Sequence, residues 1–189
     1  VKPPLETMIL SGAEGASASF GMNAHLPVLL SFAMIGLIEE YAKYLPVKFF
    51  ILKRADFDEP IDAMIYMMPS ALGFAAIENA LFLVPLFNHS ILAGVELTAN
   101  RFLGANLLHA LSSGIVGVFL ASAFFSPRRH HFIVLGLVLA SVLHAAFNYL
   151  IILRESVSEG TIYIILLLFT MAIIVFIDFE RLRQKSPGE

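Results

Sequence analysis

LPVLLSFAMIGLIEEYAKYLPVKFFIL, residues 26–52, decides the fold. Spanning a bilayer core takes about 20 mostly apolar helical residues, and this run is long enough. Yet it carries Glu39, Glu40 and Lys43 in its middle, in GLIEEYAK. Working outward, four more apolar stretches follow: residues 61–87, 92–125, 132–153 and 162–179. The expected fold class is all-α, a polytopic transmembrane helix bundle with about five spans. The third stretch is too long for one untilted crossing, so its start, through Asn100 and Arg101, reads as a juxtamembrane or broken segment.

Composition agrees. Of 189 residues, 58% are hydrophobic and 14% charged, against roughly 45–50% and about 25% in an ordinary soluble domain. The formal net charge of −3 gives no reason to expect a nucleic-acid partner. The absence of cysteine excludes disulfides, thiolate metal sites and cysteine nucleophiles. With no tryptophan, an interfacial aromatic belt must come from tyrosine and phenylalanine. Residues 1–24 carry no signal-peptide pattern. The first residue is Val1, which raises the expectation of further spans upstream. Three regions are expected: a loop over 1–25, extracytoplasmic or interfacial, a helical domain over 26–180, and a basic cytoplasmic tail over 181–189.

Lysine and arginine favour the cytoplasmic side of a membrane protein. Lys48, Lys53, Arg54, Arg128, Arg129, Arg181, Arg183 and Lys185 fall on one side of the expected bundle. Lys2, Arg101 and Arg154 fall on the other. The C-terminus is therefore expected in the cytoplasm, with the loops near Asn88 and Ser156 outside, in a multi-pass protein of the inner (cell) membrane.

Ionisable groups at bilayer depth are costly, so they are functional candidates by default. They are Glu39, Glu40 and Lys43 in the first span, Glu78 with Asn79 in the second, His109 in the third, and His144 with Asn148 in the fourth. At a helical rise of about 1.5 Å per residue, Glu39, Glu78, His109 and His144 lie between roughly 18 and 26 Å from the cytoplasmic ends of their spans. Four groups at one level, between the midplane and the outer half, predict a single site. Lys43 is placed to neutralise one acid of the pair, and His144 and Asn148 share a helical face. Glycines 36, 73, 104, 114, 117 and 136 are expected to let helices approach closely.

Two kinds of chemistry fit. A carboxyl held in an apolar bundle suits general base and acid work near neutral pH. Glu39 or Glu40, aided by His109, would deprotonate a water, and His144 and Asn148 would donate to the developing oxyanion. Alternatively His109, His144 and a glutamate, Glu39 or Glu78, would bind Zn2+ with one position open for water. No HExxH is present to favour that, so the cofactor expectation is none or zinc. Plainer readings make His25, His89 and Arg101 interfacial anchors, Lys43 a counter-ion, and Asp56, Asp58, Glu59 and Asp62 helix-capping or dipole-compensating acids.

EEYAK (Glu39–Lys43), FDEPIDAMIY (Phe57–Tyr66), LGFAAIEN (Leu72–Asn79), LLHALSSGIVG (Leu107–Gly117) and LHAAFNY (Leu143–Tyr149) occur in that order. Together they resemble the PrsW family of intramembrane proteases, within the wider group that includes type II CAAX prenyl proteases. The resemblance implies catalytic roles for Glu39, Glu40, Glu78, His109 and His144, with Asn148, Asn79 and Lys43 in support. It implies cleavage of a single-span membrane substrate, an anti-sigma factor in that family, toward the outer side of the bilayer. Asn148 departs from relatives with aspartate there and matches the CAAX branch. A proton-coupled transporter and a non-catalytic membrane scaffold are the competing functions. The oligomeric state is not legible.

Overall fold

The computed structural model describes residues 25–124, 126–154 and 157–184. The 1–25 loop, apart from the backbone of His25, therefore lies outside the described residues, as do Ser156 and the end of the tail with Lys185. Helix α1 (His25–Pro46) runs on into a π-helical turn, Val47–Ile51. Then come α2 (Asp62–His89), α3 (Ile91–Leu103), α4 (Ala105–Ser122), α5 (Arg129–Leu153) and α6 (Gly160–Arg183). There is no strand among the described residues.

By length and composition, four helical stretches among the described residues can cross a membrane: 62–88, 91–122, 129–153 and 160–183. Helix α1 is the fifth long helix, and its hydropathy is lowered by Glu39, Glu40 and Lys43. The long third stretch breaks at Gly104, between α3 and α4. The fold is an all-α bundle of the expected class.

Helix α4 is the axle of the bundle. It packs on α2, α5 and α6, while α1 packs mainly on α5. Its small residues allow this: a methyl at Gly117 would stand 2.8 Å from Met64 Cα of α2, so the two backbones nearly touch. Gly36 of α1 lies against the Ser141 carbonyl and His144 Cβ of α5, 3.0 and 3.3 Å from where its own Cβ would be. One apolar cluster, with Tyr44, Met67, Val116 and Leu137, lies between α1, α2, α4 and α5. A second, with Met64, Leu111, Phe147 and Met171, joins α2, α4, α5 and α6. Large apolar side chains such as Ile77, Leu81, Leu135 and Phe169 point outward, as they do on helices facing lipid.

Gly73 departs from the expectation for glycines: a methyl there would meet nothing within 4 Å. Asp62, at the head of α2, accepts the backbone N–H groups of Asp58 and Glu59 at 3.1 and 2.9 Å. It closes the preceding loop, which accounts for one of the four acids in that run.

Candidate active site

The buried polar residues of the core are Glu40, Lys43, His109, Ser112, Ser113, Ser141 and His144. Three helices, α1, α4 and α5, bring most of them to one place, where α2 adds Glu78. Glu40 of α1 is held on every side. Its Oε1 accepts from Lys43 Nζ at 2.6 Å and Ser112 Oγ at 2.8 Å, and lies 3.2 Å from His144 Nδ1. Its Oε2 accepts from Ser113 Oγ at 3.0 Å. A carboxylate facing an ammonium is an acceptor only, so the His144 nitrogen facing it, Nδ1, carries the ring proton. The other nitrogen, Nε2, is left with its lone pair.

That lone pair points toward Glu39, whose Oε2 stands 3.3 Å from His144 Nε2. The two atoms are close without forming a hydrogen bond, and Glu39 Oε2 is the one buried side-chain polar atom among the described residues that lacks a partner. Two lone-pair atoms at that distance require a proton or a cation between them. The Glu39 side chain keeps 16% of its surface accessible, whereas Glu40 has none.

His109 of α4 is arranged differently. Lys43 Nζ lies 2.7 Å from its Nδ1. An ammonium can only donate, so Nδ1 accepts and Nε2 carries the proton, directed at Glu78 Oε2, 2.9 Å away. Glu78 also accepts from the Arg101 guanidinium at 2.8 Å. Arg101 donates to Asn79 Oδ1 at 2.6 Å, and Asn79 to Asn106 Oδ1 at 2.7 Å. The imidazoles of His109 and His144 meet edge to face, with centroids 5.2 Å apart.

The structure thus brings Glu39, Glu40, Lys43, Glu78, His109 and His144 together, with Asn79 one step outward through Arg101. Asn148 lies one helical turn beyond His144 on α5, half-buried. Arg101 corrects the sequence reading: it is no interfacial anchor but reaches from α3 onto Glu78, 15% exposed. Ser112 and Ser113, which hold Glu40, were not singled out by the sequence. Their presence beside His109 in LLHALSSG was the available signal.

Ligand atoms of Glu39, His109 and His144 all lie within 4.8 Å of one another. Zinc binds imidazole nitrogen and carboxylate oxygen at about 2.0–2.2 Å, so seating one ion would take a small closure of these side chains and the release of one His109 nitrogen from Lys43 or Glu78. The orphaned oxygen of Glu39 and the bare nitrogen of His144 suit such an ion. Glu40 would serve as the carboxylate that orients a metal-binding histidine through its other nitrogen.

An integral membrane helix bundle with an acid–imidazole centre enclosed at depth is the class this arrangement defines. The chain belongs to the PrsW family: the sequence profile described as "PrsW family intramembrane metalloprotease" matches residues 6–176. "Protease PrsW" of Geobacillus kaustophilus is 31% identical over 156 residues, covering 82% of this chain and 63% of that relative. "Protease PrsW" of Bacillus subtilis is 34% identical over 124 residues, covering 65% of this chain and 54% of the relative. That of Halalkalibacterium halodurans is 32% identical over 128 residues, covering 67% and 56%. The chain therefore spans between about half and two thirds of the length of these relatives. No solved structure matches it.

Proposed function

We propose that this chain is an intramembrane endopeptidase that cuts membrane-anchored, single-span protein substrates with a water activated at Glu39. The unpartnered Glu39 oxygen beside the bare His144 nitrogen carries this reading. Of the three site carboxylates, only Glu39 has a buried oxygen without a partner. Glu40 is engaged at both oxygens and Glu78 at Oε2, by cations, hydroxyls and imidazoles, and they act by fixing His144 and His109.

In the metal-free form, Glu39 takes a proton from water as the hydroxide adds to the scissile carbonyl carbon. Asn148 donates an N–H to the oxyanion. Glu39 then returns the proton to the amine as the C–N bond breaks. The donor set also suits zinc held by Glu39, His109 and His144, which when bound would acidify a water and polarise the carbonyl. The metal-free form is favoured by one observation: both ring nitrogens of His109 are already taken, by Lys43 and by Glu78. The finer expectation, an anti-sigma-type substrate cut toward the outer side, rests on the family resemblance and on the positive-inside charge pattern.

The test is cleavage of a single-span substrate by purified protein in detergent. Glu39→Gln is expected to lower kcat by about 10²–10⁴-fold, the usual worth of a general base. Equal rates for wild type and Glu39→Gln would sink the proposal, as would no cleavage by either. Metal analysis with chelation divides the two forms: activity surviving in metal-free protein selects the glutamate base, and its loss selects zinc.

A further inference from the structure

Helices α1 and α2 touch only sparsely, and between them lies a groove of about 610 Å³. At its inner end are Lys43 and Phe74. Lys43 is hydrogen-bonded to His109, and the Phe74 ring lies 5.8 Å from the His109 ring and 5.1 Å from Lys43 Nζ. One layer of side chains therefore separates the groove from the acid–imidazole centre. Small residues, Ala42, Ser70 and Gly73, form part of the walls, and the void at Gly73 is the one noted above.

The backbone of the walls says what fits. Pro46 of α1 and Pro69 of α2 both line the groove. Lacking an N–H, they leave two carbonyls without the helical donors these would otherwise have: that of Ala42, which lines the groove, and that of Ile65, next to the lining residue Tyr66. Nearby, the Ser70 hydroxyl reaches across the groove to the Lys43 carbonyl at 2.6 Å. Backbone acceptors bordering hydrocarbon are costly unless something donates to them. A lipid acyl chain has no donor. A helical peptide spends its N–H groups internally, whereas an extended peptide offers them along its edges.

We propose that the groove between α1 and α2 receives an unwound stretch of the substrate's transmembrane segment, its backbone N–H groups facing the Ala42 wall, with Phe74 standing between it and His109. This rests on the protease reading above. It explains why a glycine faces open space in a helix where alanine would be more stable.

The chain contains no cysteine, which permits single-cysteine cross-linking. Gly73→Cys, made in the Glu39→Gln background to trap uncut substrate, is oxidised with single-span substrates carrying one cysteine each at successive positions. Phe169→Cys on the outward face of α6, 63% exposed, is the comparison. The expected result is a disulfide from Gly73→Cys to a short block of neighbouring substrate positions and none from Phe169→Cys. In the active protein, Gly73→Leu should lower kcat/KM by about tenfold or more, with Tm unchanged because the space is open, and Phe169→Leu should not. Equal cross-linking at both positions, or none at Gly73→Cys while wild type cleaves, overturns the groove. So does full activity in Gly73→Leu, the result for a lipid-filled cleft. A wild type that cleaves no single-span substrate fails the protease reading itself.

Discussion

Adjacent helical residues point about 100° apart, and at Glu39 and Glu40 that angle separates two environments. Glu40 turns into the bundle, onto two serines, a lysine and a histidine; Glu39 turns toward the far nitrogen of His144 with one oxygen unmet. The Lys43–Glu40 pair has no solvent exposure. Removing one partner of such a pair leaves a bare charge, at about 3–5 kcal/mol, whereas removing both is far milder. Lys43→Met is therefore expected to lose most of its stability, and Lys43→Met with Glu40→Gln to regain much of it. Thermal unfolding in one detergent for the two single variants and the double reads this as a coupling energy. Strictly additive losses would mean that the pair does not act as a unit. Activity should stay low in the double variant, because His144 loses the carboxylate that sets its tautomer.

At the scale of helices, close approach is what aims the side chains. Gly36 seats α1 against α5 beside His144, and Gly117 seats α4 against α2. Alanine is the better helix former by about 1 kcal/mol, so Gly36→Ala should leave Tm nearly unchanged while pushing His144 from Glu39 and lowering kcat. Gly117→Ala meets the Met64 backbone at 2.8 Å, closer than the 3.0 Å from the Gly36 position to the Ser141 carbonyl, and should destabilise by about 1–3 kcal/mol. If Gly36→Ala kept full activity, the Glu39–His144 spacing would not be what the reaction depends on. The same helices show what the sequence could tell. Each acid and imidazole of the cluster interrupts an apolar run, so its depth could be counted from the helix end, and a broken start to the third stretch, though not its place at Gly104, followed from a span too long to cross once. Arg101 was illegible because it stands near that break among polar neighbours, where an anchor looks the same. Only the packing of α3 against α2 puts Glu78 within its reach. Ser112 and Ser113 were illegible for a related reason: a hydroxyl in a span acquires a task only when another helix presents an acid to it. Gly73 reads like the other glycines until the neighbouring helix proves to be absent from that face.

Across the described residues the helices alternate in direction, with α3 and α4 making one crossing, so the loop at 52–61, residues 126–128 and the end of α6 lie at one end of the bundle. That end holds Lys53, Arg54, Arg128, Arg129, Arg181 and Arg183, while the other has Arg154 among the described loops. An imbalance of this kind orients a membrane protein with its basic end in the cytoplasm. Glu78 lies 16 residues from the start of α2, or roughly 24 Å of helical rise, and closer to the Ser90 end; in the proposed orientation that end, and the site with it, is toward the outer leaflet. Because the chain lacks cysteine, Ser90→Cys and Asp56→Cys can each be probed singly in intact cells with a membrane-impermeant maleimide. Ser90→Cys should label at once, and Asp56→Cys only after the membrane is opened. The reverse pattern would turn the bundle over and put the acid–imidazole centre nearer the cytoplasm. A substrate whose cut products retained their outer portion would then have to be sought in place of one that sheds it.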